Sequence, residues 1–164
     1  MSALFYTQID DSPVGPLLLA GDSEALHVLA FGVGSRPREI DAAWMPDTKG
    51  VLKIVRRELD QYFAGKLKRF TTRLAFDGTD FQKQVWKELT RIPYGETISY
   101  RQLAERVGAS SAYRAVGRAN GSNRVAVVVP CHRVIAAGGG LGGYGGGLAA
   151  KQRLLELEAT AVSS

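Results

Sequence analysis

Val125-Ala126-Val127-Val128-Val129-Pro130-Cys131-His132-Arg133-Val134-Ile135 is the stretch on which the reading of this chain turns. Five small or β-branched apolar residues in a row read as a strand buried on both faces. Pro130 ends it, since proline has no N–H for a sheet ladder. Cys131, the single cysteine of the protein, follows at once, and His132 comes next. The thiolate is the reactive form of cysteine. His132 offers a titratable base beside it, and the charge of Arg133 favours ionisation of the sulfur. Neighbours on a strand point to opposite faces, so Cys131 and His132 need a turn or a bridging water to cooperate. The plainer alternative is a lone cysteine that packs as a small hydrophobe.

Downstream, residues 136–147 hold eight glycines, broken within 138–147 only by Leu141 and Tyr144. Such a run lets backbone approach a ligand closely and move easily; a mobile surface loop is the alternative. Residues 148–159 then read as a helix. Lys151, Leu154, Leu155 and Glu158 share one of its faces by the three-and-four spacing. With the leucines on the core, Glu158 lies at its edge and needs a partner, for which His132 is the candidate. An exposed Glu near a helix end is the alternative.

Upstream, a helix-turn-helix pattern precedes the cysteine stretch. Ser99 is a candidate N-cap with Gln102 as its capping-box partner. Leu103, Ala104 and Val107 give an inner face, and Gly108 closes the helix. A second helix spans about 111–120 and sets Arg114 and Arg118 among Ala112, Ala115, Gly117 and Ala119. Small residues admit close approach to another surface, and interspersed arginines suit a nucleic-acid groove. A plain helical hairpin would show a similar pattern. Before this pair, Asp77-Gly78-Thr79-Asp80 reads as a capping turn. Phe81, Val85, Leu89 and Ile92 then make a helical stripe that ends at Pro93-Tyr94-Gly95.

The first half shows strands at 4–9, 17–20 and 25–31, an irregular segment at 32–46, a helix over 49–64 before Gly65, and a last strand at 70–76. No chemistry is evident in it. The fold class is therefore α+β, with two domains. Residues 1–76 form a small α/β unit with an antiparallel sheet, and residues 77–164 form a mainly helical unit carrying the helix-turn-helix.

Composition narrows the function classes. At 164 residues and 45% hydrophobic, the chain supports a packed core. No apolar run approaches a membrane span, and the first residues lack the layout of a signal peptide. One cysteine excludes an internal disulfide, and a free thiol fits a reducing cytoplasm. One Cys and two His exclude a zinc-ligand cluster. The net charge of +5 permits a polyanionic partner. The residues alone leave three functions open: nucleophilic chemistry at Cys131, a DNA-binding helix-turn-helix module without reaction at the cysteine, and a cysteine hydrolase.

The second half resembles one family closely: the methylated-DNA–protein-cysteine methyltransferases, which repair O6-alkylguanine. The resemblance covers residues of about 76 to 158. It rests on Phe81-Gln82, Val85-Trp86, Ile92-Pro93-Tyr94-Gly95, Ser99-Tyr100, Arg114-Ala115-Val116-Gly117, Pro130-Cys131-His132-Arg133-Val134, Tyr144-Gly145-Gly146-Gly147 and Leu154-Leu155 with Glu158. It implies single-turnover transfer of the alkyl group from O6-alkylguanine, with O4-alkylthymine as a further substrate, onto Cys131. In the implied catalytic set, His132 is the base acting through a water, Glu158 orients it, and Asn123 braces the turn around the cysteine. Tyr100 would donate to the extruded base, and Arg114 would fill the gap left in the duplex. Ala115, Gly117 and Arg118 would lie against double-stranded DNA in the minor groove. The base pocket would be formed by Tyr100, Val134, Tyr144 and Gly145. The implied protein is a cytoplasmic monomer without metal or cofactor, with cooperative binding on DNA left open.

Four details bear on this resemblance. The family usually has Asn-Pro where this chain has Asn123-Arg124. Many relatives have serine at the place of Gly145. The N-terminal zinc ligands of some members are missing here. A non-catalytic subfamily has tryptophan in place of the cysteine, and Cys131 argues against membership there.

Overall fold

The computed structural model describes residues 3–32, 38–136, 138 and 140–163. Residues 33–37, within the segment read as irregular, and residues 137 and 139, within the glycine run, lie outside these.

The first half is a sheet with one helix. Strands β1 (Phe5–Ser12), β2 (Gly15–Gly21) and β3 (Leu26–Phe31) form an antiparallel meander. The β1–β2 turn is closed by Ser12, whose hydroxyl donates to the Gly15 carbonyl, while Gly15 takes φ +89°. Leu17, Leu19, Leu26 and Leu29 are buried in the core that the sheet shares with the rest of the chain. The segment read as irregular contributes an edge strand, β4 (Met45–Pro46), which runs parallel to β1. An edge is where a proline can sit, because the ladder there needs no N–H from it. Helix α1 (Lys53–Phe63) starts later than the spacing predicts. The Asp47 carboxylate takes the N–H groups of Val51 and Leu52 at 2.9 and 2.8 Å, which holds that stretch as a turn. Gly65, at φ +75°, follows the helix end.

Residues 70–76 are not a strand. Leu74 alone bridges Leu26. Thr71 and Thr72 give their backbone N–H groups to the buried carboxylate of Glu58 at 2.8 and 3.0 Å, and both hydroxyls donate to it as well. Amides committed to a side chain cannot join a ladder.

The second half is mainly helical: α2 (Asp80–Leu89), α3 (Tyr100–Arg106), α4 (Tyr113–Gly121) and α5 (Leu148–Ser163). Thr79 with Gln82 and Ser99 with Gln102 form complete capping boxes on α2 and α3. Between α3 and α4 the chain turns through Gly108 at φ +71° and a short 3₁₀ turn, Ser110–Ala112. Trp86 Nε1 donates to the Ala119 carbonyl at 2.8 Å and fixes α4 against α2. Strand β5 (Ile98–Ser99) pairs in parallel with β6 (Val134–Ile135), so the start of α3 is anchored to the residues just past the cysteine.

The valine run before Cys131 is buried, as its composition requires, but it is a turn and not a strand. Only Val125 bridges a strand: Leu29 N–H donates to the Arg124 carbonyl, and Ala126 N–H to the Leu29 carbonyl, both at 2.9 Å. The chain then folds back, with Val129 N–H on the Val125 carbonyl at 2.9 Å. Val127 sits at φ +70°. A β-branched residue in this region costs on the order of 1–3 kcal/mol, and the surroundings must over-determine it. Here the Asn123 side chain does so. Its amide donates to the Val125 and Val129 carbonyls at 3.4 and 2.9 Å, and its oxygen accepts Val125 N–H at 3.0 Å.

Candidate active site

Cys131 opens a second 3₁₀ turn, Cys131–Arg133, at the end of this folded-back segment. The turn geometry removes the opposite-faces problem of a strand. Cys131 is buried, and Asn123 Nδ2 lies 3.2 Å from its sulfur. Burial pushes the thiol up; the Asn123 amide, the nearby charge of Lys151 and the Tyr144 hydroxyl pull in the opposite direction. The net direction is upward, so Cys131 rests as a thiol and needs a base to react.

A candidate base is next to it in sequence. His132 is fully buried, and its Nε2 is 2.7 Å from Glu158 Oε2 on α5. Among the described residues, the Glu158 carboxylate accepts five hydrogen bonds. Arg133 supplies two, Nε to Oε1 at 2.8 Å and Nη2 to Oε2 at 3.0 Å. Tyr62 O–H gives a third at 2.6 Å, and Gly95 N–H a fourth at 3.3 Å. The fifth comes from His132. Burial pushes Glu158 up, but the bonds and charges of His132 and Arg133 outweigh it and hold the carboxyl well below its usual range. An ionised Glu158 can only accept, so His132 Nε2 carries the ring proton. Nδ1 then bears the lone pair, and it has no hydrogen-bond partner among the described residues. Burial also pushes the imidazole down, with Glu158 partly offsetting it, so the ring is neutral. A neutral imidazole with a fixed tautomer and one unengaged nitrogen is equipped to accept a proton.

The glycine-rich segment is tied down rather than loose where it is described. The buried Lys151 ammonium donates to the carbonyls of Val134 at 2.7 Å, Gly143 at 3.4 Å, and Leu141. Phe31 of β3 meets Tyr144 edge-on, with centroids 5.4 Å apart, and its ring leaves no room for a Cβ at Gly146.

An open groove of about 1600 Å³ runs over Cys131. Tyr100, Arg114, Gly117, Arg118, Asn123, Tyr144 and Gly145 line it, as do the further residues Arg38, Arg101 and Arg124. Among the described residues, five arginines and a single acid, Glu105, line it. Ala115 is half-buried on α4 outside this wall, and Val134 is fully buried behind the site, where its carbonyl accepts from Lys151. Arg124, where proline is usual, ion-pairs at 3.8 Å with Asp77.

Sequence reasoning did not find Arg133 as a partner of Glu158, Lys151 as the clamp of the glycine segment, or Tyr62 and Phe31 as contacts from the first half. For Lys151 a signal existed: a lysine on the apolar face of a helix that also carries Leu154. The two aromatic residues read as ordinary core, and their spacing holds no hint of the site.

Comparison with known proteins covers both halves of the chain. Residues 4–76 match the family model for the 6-O-methylguanine DNA methyltransferase, ribonuclease-like domain, and residues 80–160 the one for its DNA binding domain. The methylated-DNA–protein-cysteine methyltransferase of Methanosarcina barkeri is 49% identical over 153 residues, 93% of this chain and 96% of that protein. The Mycobacterium leprae protein of the same name is 51% identical over 148 residues, 90% of this chain and 88% of its own. Among solved structures, Mycobacterium tuberculosis OGT in complex with DNA superposes with a TM-score of 0.88 at 48% identity, covering 96% of this chain and 94% of that one.

Proposed function

This chain belongs to the 6-O-methylguanine DNA methyltransferase family, and we propose that it repairs O6-alkylguanine in double-stranded DNA by taking the alkyl group onto its own Cys131. One observation carries the assignment. The only cysteine lies in the wall of an arginine-lined groove, directly joined to a neutral histidine held at 2.7 Å by an ionised glutamate.

The chemistry follows from those groups. His132 Nδ1 takes the thiol proton through a water, and Asn123 and Tyr144 stabilise the sulfur anion that remains. The thiolate attacks the alkyl carbon. An S–C bond forms, the C–O6 bond breaks, and its electron pair stays with the guanine. The departing base, helped by a hydrogen bond from Tyr100, takes up a proton from solvent and leaves as guanine, while the His132 imidazolium returns the thiol proton to solvent. Glu158 holds the ring and compensates the imidazolium charge. A thioether is a poor leaving group, so each molecule reacts once.

A stacked guanine cannot present O6 to a buried sulfur, so the nucleotide must swing out of the helix at a cost of a few kcal/mol. The small residues of α4 suit close approach in the minor groove, with Arg114 filling the space left behind and Arg118 facing the backbone. The pocket for the base lies between Tyr100 and the Tyr144–Gly145 segment. We assign the reacting groups and the DNA-binding helices to residues 77–164, and residues 1–76 to a smaller α/β unit that packs on them and contributes Tyr62 and Phe31 around the site. The protein acts as a monomer in the cytoplasm, where a lone thiol stays reduced. Among the described residues no helix is long and apolar enough to cross a membrane.

Mass spectrometry after incubation with a duplex carrying O6-methylguanine tests this. The expected result is one methyl group per molecule, on the peptide containing Cys131. An unmodified Cys131, or several lesions repaired per molecule, would overturn it.

A further inference from the structure

Tyr62 brings the first half of the chain into the reactive centre. It stands on the last turn of α1, is fully buried, and donates to Glu158 Oε2 at 2.6 Å. The same oxygen accepts His132 Nε2 at 2.7 Å and Arg133 Nη2 at 3.0 Å. Resting on the Cys131–His132–Glu158 reading above, we propose that Tyr62 is a positioning residue for alkyl transfer: it fixes the carboxylate oxygen that holds His132 and draws charge from it, which keeps the imidazole neutral.

The reason is a competition for one oxygen. A buried carboxylate facing an imidazole with little else to satisfy it would pull a proton onto the ring and keep it there. An imidazolium cannot take the thiol proton. Each further donor to the carboxylate lowers its pull on the histidine. Arg133 supplies part of that relief and Tyr62 the rest.

The ring of Tyr62 is itself held. Phe63 and Phe70 lie with centroids 5.4 Å away and Tyr94 at 6.1 Å. Burial first, and then the charge of Glu158, push the Tyr62 hydroxyl far above its ordinary range, so it remains a donor at every working pH. The other charged groups facing His132 are Arg133 and Lys151, and Cys131 is its neighbour in the chain. Tyr94 and Tyr144 face Glu158 besides Tyr62. None of these replaces the bond to Oε2.

The test is the pH dependence of single-turnover transfer from free O6-benzylguanine, measured on the full chain with and without Tyr62→Phe, with Cys131 alkylation read by mass. With the donor gone, Glu158 pulls harder on His132 and the acid limb moves to higher pH. On the acid limb, below the point where His132 titrates, the rate should fall about threefold, and on the plateau above it the rate should return to the parent value, a shift of roughly half a pKa unit. An unchanged profile overturns the proposal. So does a uniform loss at all pH values, which is what a packing role alone would give. If Tyr62→Phe does not fold, 3-fluorotyrosine at position 62 keeps the ring and donates more strongly. The acid limb should then move to lower pH, and a limb that stays in place overturns the proposal. A parent protein with no alkylation of Cys131, or with no acid limb, would overturn the His132 relay and this proposal with it. A parent acid limb left in place by Tyr62→Phe overturns this proposal alone.

Discussion

Arg133 grips both oxygens of Glu158, with Nε on Oε1 at 2.8 Å and Nη2 on Oε2 at 3.0 Å, and both side chains are buried. The acid that steadies the histidine is therefore also the only carboxylate that neutralises this arginine among the described residues.

Glu158→Gln should then act twice. Leaving Arg133 buried without its counter-charge costs on the order of 3–5 kcal/mol of stability. The imidazole loses basicity and a fixed orientation, so transfer to Cys131 slows. What reaction remains should climb with pH as the thiol ionises directly. Single-turnover rates from pH 6 to 9, taken well below the melting point and beside a DNA-binding assay, check this. Binding should persist. An unchanged rate and profile would reduce Glu158 to a purely structural anchor.

Arg114 projects into the groove from α4. Arg114→Ala should slow repair in duplex DNA by about ten- to a hundredfold, a share of the few kcal/mol that extrusion demands. Reaction with free O6-benzylguanine needs no extrusion and should be unchanged. Comparing the two rates decides the assignment; equal losses would contradict it.

Stability should fall in two stages as pH drops. Burial pushes His132 below its ordinary 6.5, so the unfolded chain takes up that proton first. The resulting loss begins below about pH 6.5. Burial pushes Glu58 and Glu158 up, but the threonines on Glu58, and His132 and Arg133 on Glu158, hold both below their ordinary 4.5. The stability they give is present above about pH 4.5 and goes as pH falls further. Thermal unfolding from pH 2 to 8 should show both stages. Glu58→Gln should shrink the second and leave the first. A midpoint that rises between pH 7 and 5.5 would contradict the account.

Gly146 has no room for a side chain: a Cβ there would stand 2.6 Å from the Phe31 ring. Gly146→Ala should cost about 1–3 kcal/mol and lift the Tyr144 segment from the pocket, slowing transfer from the free base. Adding Phe31→Leu frees part of that space and should restore part of both losses. Melting points and free-base rates for the two single variants and the double variant check this coupling.

What was legible in the sequence was what neighbouring residues decide. The capping box of Ser99 needs only a partner three residues on and formed as expected, and the capping turn read at residues 77–80 closes as a second box between Thr79 and Gln82. The β1–β3 meander followed from alternation and turn residues. The run 125–129 misled because apolar composition reports burial and not conformation. The turn is imposed by Asn123, a polar residue outside the run. Likewise residues 70–76 looked like a strand, but a glutamate on α1 claims their amides. At the site, Cys131, His132 and Glu158 were legible from residue type and from the face of α5. Tyr62 was not, since 96 residues separate it from its partner and nothing local marks it.

That separation has a consequence for the growing chain. The donors and acceptor of the relay come from positions 62, 95, 132–133 and 158. Synthesis delivers them in that order, with the acceptor last. Until Glu158 emerges from the ribosome, Cys131 is a common thiol with no organised base and is spared the single irreversible reaction it can undergo. A chain arrested between Cys131 and Glu158 should take up no alkyl group from O6-benzylguanine, whereas one released beyond α5 should do so within the time it needs to fold.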